Sequence, residues 1–356
     1  MDSPRNLTAG RLRRLTEELV DERLGVIESG ASPDAAVEIV DELDYALRPP
    51  RHELRVPSYG SFVLPTRAIA EWNEPTGLEF FVSEASERAD DDVRRYADGV
   101  SSWTIRTTEG VTALVVFDRP AGSERDLVVL AEATGATIVQ RHPNGLVRLV
   151  GSSFGVARWD GVGWHREPPI GAWLKMAACG LDRESTLTLD RFLRFAVHDL
   201  GARGVGTTIV FRPSDPKSPA FERRLATPPP LRIDRPSDLG PLRHVLSQVD
   251  GAALFDATGT LRQLGVLLVP SPASEIGVEA FRGTRHTSAR RYSFDDPTAV
   301  VVVVSEQGPV TVLRAGRIIG RSPVVAGLSA ATADATAAAD VVPDALDLHG
   351  ADHLGS

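Results

Sequence analysis

Four stretches of this 356-residue chain decide its fold when read in order. They are Asp250-Gly251-Ala252-Ala253-Leu254-Phe255, Gly265-Val266-Leu267-Leu268-Val269-Pro270, Gly283-Thr284-Arg285-His286-Thr287-Ser288-Ala289 and Ala299-Val300-Val301-Val302-Val303-Val304-Ser305-Glu306. Short apolar runs of this length, bounded by Gly, Pro and Asp, read as buried strands. A turn containing Gly259 joins Gly251–Phe255 to Leu261–Val269, and Gly308 turns Ala299–Val304 back into Val310–Leu313. A helical segment opens at Gly283. Strands that alternate with helices make an α/β layer, and the hairpins make its sheet mixed, twisted and flanked by helices.

The same stretches carry chemistry. Gly283 permits close backbone approach. A helix start after it offers unpaired N–H groups and a positive dipole end, both suited to phosphate. Arg285 adds a planar fork for two phosphate oxygens, His286 a ring donor and Thr284 a hydroxyl. Alone, an arginine-rich helix start is also what a solvent-facing helix looks like. Asp250-Gly251-Ala252 places a carboxylate where a helix runs into a strand, with small residues leaving room for a flat base or sugar; a plain turn has the same signature. Ser305-Glu306-Gln307 ends the most apolar strand, where ligands are often met in α/β sheets, though Gly308 also marks a hairpin.

Working outward, Thr188 reads as the cap of a helix with the stripe Leu189, Phe192, Leu193, Ala196, Val197 and Leu200, stopped by Gly201. Val205–Phe211 is a buried-type strand, Arg212–Pro236 a long surface connection, and Ser237 the cap of a helix presenting Leu239, Leu242 and Leu246. Towards the amino terminus, helices are expected over 8–28 and 33–47, with strands at Leu78–Val82 and Thr112–Phe117. A charged helix is expected over Glu84–Tyr96, where Asp90-Asp91-Asp92 beside Arg94-Arg95 favours a solvated face over a metal site. A helix near 122–134, strands at 136–140 and 146–151, and a hairpin turning at Asp160-Gly161 follow. Trp159 and Trp164 flank that turn as a cross-strand pair. The divisions read from the sequence are an α+β domain over 1–165, an α/β domain over 170–322, and an Ala/Asp/Thr/Gly-rich tail over 323–356 with the composition of a disordered segment.

Composition narrows the function. Apolar residues make up 42% and charged residues 24%, enough for sizeable cores. A net charge of −9 argues against a basic nucleic-acid-binding face, while leaving room for a local arginine cluster on one triphosphate. Only Lys175 and Lys217 are lysines. The single cysteine, Cys179, excludes an internal disulfide and reads as a small buried residue; no Cys/His spacing suggests zinc. His165, His198 and His244 read as structural or surface histidines. No signal core follows Met1, and the longest apolar run is far short of the roughly 20 residues of a spanning helix, so a cytoplasmic protein with no membrane partner is expected.

Taken as a set, Asp250-Gly251-Ala252, Gly265–Pro270, Gly283-Thr284-Arg285-His286 and the Val-rich strand ending in Ser305-Glu306 resemble the signature motifs of the diadenylate cyclase (DAC) domain. It is the type found at the amino end of DNA-integrity-scanning proteins. The resemblance covers roughly Thr188 to Ile319. It implies condensation of two ATP into cyclic di-AMP and two pyrophosphates with Mg²⁺ or Mn²⁺, at the interface of two face-to-face domains, so self-association is implied too. It further implies that Asp250 holds the metal and helps activate the 3′-hydroxyl. Gly251, Ala252 and Leu268 would line the nucleotide, Gly283, Thr284, Arg285 and His286 would bind phosphates, and Ser305 and Glu306 would lie near them. Two positions depart from the usual pattern: Thr287 replaces a frequent arginine, which Arg290 or Arg291 could offset, and Gln307 stands where some members have an acid. Neither a P-loop nor a glycine-rich dinucleotide fingerprint occurs. The alternative is a silent module that binds ATP or cyclic di-AMP. The front domain reads as a sensory or assembly module whose ligand or protein partner the sequence does not name.

Overall fold

The computed structural model describes residues 4–25, 33–50, 56–85, 90–214, 221–222, 225, 227–281 and 283–322. The tail expected over 323–356 lies outside them. Two mixed sheets, one of eight strands and one of seven, organise the chain into two α/β halves.

In the first half, α1 (Pro4–Asp21) and α2 (Pro33–Leu47) precede β1 (Tyr59–Val63), α3 (Asn73–Thr76), β2 (Phe80–Glu84), α4 (Asp90–Arg94), β3 (Ser102–Thr107) and β4 (Gly110–Phe117). Then come α5 (Glu124–Thr134), β5 (Thr137–Arg141), β6 (Val147–Gly151), β7 (Gly155–Trp159) and β8 (Trp164–Arg166). The strand order is β2-β4-β3-β1-β5-β6-β7-β8, and only the β1–β3 pair among these is parallel. Period-2 alternation splits the sheet's residues between two cores. Phe62, Trp103, Ile105 and Ile138 meet α5 on one face, and Tyr59, Val63, Val139 and Leu149 meet α1 and α2 on the other. Strands β1 and β3 have no counterpart in the sequence reading. Both are buried on two faces and carry Gly60, Ser61 and Thr104 inside, which blurs their alternation. Glu84, expected to open a long charged helix, ends β2 instead. The acidic triplet is neutralised by arginines: Asp91 pairs with Arg94, Asp92 with Arg95 and Asp90 with Arg106. Trp159 and Trp164 do face each other across the β7–β8 pair, with ring centroids 5.6 Å apart.

The second half runs α6 (Ile170–Ala177), α7 (Arg183–Arg194), β9 (Thr207–Phe211), β10 (Phe221–Glu222), α8 (Pro236–Gln248), β11 (Ala252–Phe255) and β12 (Leu261–Leu268). It ends with α9 (Pro272–Gly277), α10 (Thr284–Asp295), β13 (Val300–Val304), β14 (Val310–Arg314) and β15 (Arg317–Arg321). The order is β10-β12-β11-β9-β13-β14-β15, with β9 central, parallel to β11 and antiparallel to β13. Both faces are covered. Ile209, Phe211, Ala253, Phe255 and Val302 pack with Leu189, Phe192 and Leu242 of α7 and α8. Val210, Ala252, Leu254, Val266, Val301 and Val303 pack with Ala289 and Tyr292 of α10. Burial on both sides explains why β13 reads as an unbroken apolar run and β9 as a run of β-branched and aromatic residues.

Several local expectations are corrected. Asp182, not Thr188, caps α7 by accepting from the Ser185 amide, and Thr188 is a buried interior residue. Gly201 does not stop this helix, which widens into a π turn over Phe195–Leu200 and tightens over Gly201–Arg203 before Gly204 ends it at φ +67°. Ser237 lies inside the first turn of α8, which Pro236 opens without a side-chain cap. Cys179 is exposed, because the chain turns at Leu181 directly beyond α6.

The π turn presents two consecutive polar residues, His198 and Asp199, to the first half, and both are buried. Nδ1 of His198 lies 2.9 Å from Glu124 Oε1 and its Nε2 lies 3.6 Å from Glu167 Oε1. Glu124 also receives a two-pronged contact from Arg158, with Nε at 2.6 Å. Burial would raise the Glu124 carboxyl, but Arg158 and His198 outweigh it and hold it well below the usual carboxylate range. Burial would likewise push the His198 imidazole down, and its contacts with the two carboxylates hold it above its ordinary value.

Candidate nucleotide site

The first turn of α10 is built for an anion. Gly283, its N-cap, has φ +118°, a conformation an L side chain rarely adopts, and no side chain caps the helix. The amides of Thr284, Arg285 and His286 therefore have no intrahelical acceptor, whereas Thr287 N begins the ladder by donating to Gly283 O. Thr287 also closes this turn from below. Its Oγ1 accepts from the Phe281 amide at 3.0 Å and donates to Gly283 O at 3.0 Å. The departure at this position thus supplies a brace for the loop in place of a cation.

Across the cleft, α8 ends at Gln248 and the chain enters β11 through Val249-Asp250-Gly251. The Asp250 side chain is 95% exposed, and its Oδ1 lies 3.5 Å from Arg285 Nη2. The two signatures therefore meet on one side of the sheet, at an opening to solvent. Between them lies a cavity of about 490 Å³, lined by Asp250, Gly251, Ala252, Leu268, Gly283, Thr284, Arg285 and Glu306. That volume is in the range of small-molecule sites. Thr208 of β9, Val266 and Leu267 of β12 and Ser288 of α10 complete the lining. Thr208, Ala252, Val266 and Leu268 share the α10 face through strand alternation, which is why sequence-distant residues converge.

Two residues singled out in the sequence are not among the lining. His286 sits beside it, half-buried, with Nε2 3.5 Å from Thr311 Oγ1 and its ring edge-on to Phe281 at 6.2 Å. Burial, then the charges of Arg321 and Arg285, hold its pKa below the ordinary histidine value, so the ring is neutral near pH 7. Ser305 is engaged in the β13–β14 turn, where its backbone N–H donates to Pro309 O and its carbonyl accepts from Gly308. Arg290 is occupied as well. It donates to the carbonyls of Gly316 and Glu279 and lies over the Phe281 ring, so it does not replace the missing cation at Thr287.

Sequence reasoning missed Gly206. A Cβ placed there would come within 2.5 Å of Glu306 Cγ, 2.9 Å of Arg285 Nη1 and 3.1 Å of the Glu306 amide, so only glycine lets these side chains close over the start of β9. The Gly-Val-Gly run at 204–206 was the available signal. Among the described residues no three His, Cys, Asp or Glu side chains cluster as a metal site. An exposed carboxylate beside a phosphate-binding turn still suits a hard cation such as Mg²⁺, which is commonly held by one or two carboxylates with substrate phosphates as its other ligands. No helix among the described residues is long and apolar enough to cross a membrane.

A doubly covered mixed sheet with a phosphate-suited helix start, preceded by a second α/β unit, defines a two-domain nucleotide-binding protein. Two family models match accordingly: residues 13–167 match one described as "Probable sensor domain DACNK", and residues 194–318 match the DAC model, "DisA bacterial checkpoint controller nucleotide-binding". The chain thus carries a DACNK-type sensor domain followed by a DAC domain. No curated protein matches it. A solved structure described as a hypothetical membrane spanning protein from Bacillus cereus is 17% identical, covering 43% of this chain and 89% of that one. Its TM-score is 0.29, too low to carry an argument.

Proposed function

We propose that the protein condenses two ATP molecules into cyclic di-AMP, each DAC domain holding one ATP and two copies meeting face to face. In each half-reaction the 3′-hydroxyl oxygen of one nucleotide forms a bond to the α-phosphorus of the other. The bond from that phosphorus to the bridging oxygen of the β-phosphate breaks, and pyrophosphate leaves with the pair of electrons. The hydroxyl proton passes to a nearby base or to solvent. Repeating the step in the opposite sense closes the ring and releases a second pyrophosphate.

The observation that carries this reading is the meeting of Asp250 and Arg285 at the mouth of one cavity that also contains the uncapped start of α10. In this reading Arg285 and the amides of Thr284 and Arg285 bind the triphosphate, while Gly251, Ala252 and Leu268 take the flat part of the nucleotide. His286 stays outside the cavity as a neutral support for the turn, and Ser305 holds the strand end that presents Glu306. Asp250 would hold Mg²⁺ or Mn²⁺ together with phosphate oxygens and would lie next to the attacking hydroxyl; the metal supplies charge neutralisation. Because Asp250 is almost fully exposed in one chain, a second copy placed over the opening would complete the site. The DACNK domain would set the output through its contact with the π turn.

Incubating purified protein with ATP and Mn²⁺ or Mg²⁺, followed by mass spectrometry, tests the proposal. Cyclic di-AMP that is lost in Asp250→Asn is the expected result. Bound ATP without turnover would point instead to a silent nucleotide-binding module, and a linear product to a transferase acting at one site alone.

A further inference from the structure

A second cavity, of about 480 Å³, opens where the two domains meet. One wall is the approach to α5 in the sensor domain. The other is the π turn and the first two turns of α8. Four guanidinium groups, on Arg119, Arg125, Arg203 and Arg243, face two carboxylates, Asp126 and Asp199. Asp126 is committed to the capping box of α5, where it accepts from the Ser123 amide at 3.0 Å. Asp199 is buried and pairs with Arg125 at 3.2 Å and Arg243 at 3.6 Å. Neither Arg119 nor Arg203 has a carboxylate within 4.0 Å among the described residues. Arg119 donates to the Gly77 carbonyl at 3.2 Å. Burial, and then the neighbouring Arg243 charge, hold the Arg203 guanidinium below its usual value, a cost that an incoming anion would relieve.

We propose that this interdomain cleft binds a small molecule bearing a phosphate dianion, gripped by Arg119 and Arg203 with help from Arg125 and Arg243. Two cations beyond the two carboxylates match one dianion, and arginine forks suit phosphate oxygens. The position gives such a ligand a grip on the catalytic domain. Arg243 lies on α8, the helix that ends two residues before Asp250. Asp199 and Arg203 lie on the segment that leads to Gly206, against which Arg285 and Glu306 pack. Occupancy redistributes the arginines that now serve Asp199 and so acts on both walls of the nucleotide cavity.

Calorimetric titration of the full-length protein with inorganic phosphate, pyrophosphate and AMP tests the site. It does not depend on the cyclase reading, because binding is read without turnover. The Arg285→Ala variant removes the competing anion grip of the nucleotide cavity. The proposal expects saturable binding of at least one probe to survive Arg285→Ala and to weaken about tenfold or more in Arg203→Ala and in Arg119→Ala. Arg119 is exposed, so its variant reports binding even where Arg203→Ala lowers the melting temperature. The same probe should slow backbone hydrogen exchange in α8 of the wild type. No saturable binding of any probe to Arg285→Ala, binding indifferent to both Arg203→Ala and Arg119→Ala, or saturable binding that leaves α8 exchange unchanged would each overturn it.

Discussion

Replacing Glu124 by Gln removes one negative charge from the contact between the domains while keeping the side chain's shape. Glu124 is 1% exposed, and its neighbours Arg158 and His198 are 6% and 2% exposed, so no solvent reaches the charges left behind. Removing one partner of a buried ion pair costs ~3–5 kcal/mol, because the remaining charge stays desolvated without compensation. For a chain of 356 residues melting as one unit, an unfolding entropy of about 0.7 kcal/mol/K turns that into a drop of ~4–7 °C. Calorimetry of both proteins between pH 5 and 9 adds a signature that a plain packing defect lacks. In the wild type, His198 has a raised folded pKa. Its contribution is complete below about 6.5, the unfolded value, and is lost as pH rises through the folded value. In Glu124→Gln only Glu167 is left to oppose burial, so the folded His198 value falls and less stability is lost as pH rises above about 6.5. The Glu124 contribution has the opposite sense, present above the unfolded carboxylate value and lost as pH falls. A variant that melts within 1 °C of the wild type, or that keeps the wild-type slope around neutral pH, would refute the reasoning.

Arg285→Ala should lower cyclic di-AMP formation by about a hundredfold, the scale of losing one preorganised donor, with an unchanged melting temperature; the assay is initial rate by mass spectrometry. Gly206→Ala should weaken ATP binding while far-ultraviolet circular dichroism stays as in the wild type, because the added Cβ displaces Glu306 and Arg285 and leaves the core alone. Gly283→Ala meets open space but takes a strained φ, so a loss of about 1 kcal/mol in chemical denaturation is expected, together with weaker nucleotide binding. Cys179, being exposed, should react with a thiol reagent in the native protein at the rate of the denatured chain within about tenfold.

At several places a local signal agrees with the structure. The five consecutive valines of β13, the Gly308 turn, and the stripe from Leu189 to Leu200 report burial through their own periodicity, and Gly283 reports the backbone conformation that only glycine takes easily. The set Asp250, Gly251, Arg285 and Glu306 was singled out through the resemblance to DAC domains, since each of its members taken alone also fits a plain turn or a solvent-facing helix start. Errors arose where two signals competed. Thr188 and Asp182 are both good caps, and only the packing of α7 on the sheet decides that Thr188 lies inside. Gly201 is a plausible stop, yet the chain stays helical there, with the Gly308 carbonyl 2.9 Å from where a Cβ would sit.

By itself, then, the sequence determined most strands and helices of the second half, the turns at Gly259 and Gly308 and the residue types suited to an anion, since each depends on neighbours a few positions away. Tertiary structure alone decided that Asp250 and Arg285, 35 residues apart, face one opening, that Gly206 backs them, and that Glu124 reaches His198 across 74 residues. Periodicity says that a residue is buried without saying against what. The partner of a buried charge is fixed by how two sheets and their helices pack, and that packing is set by the whole chain at once.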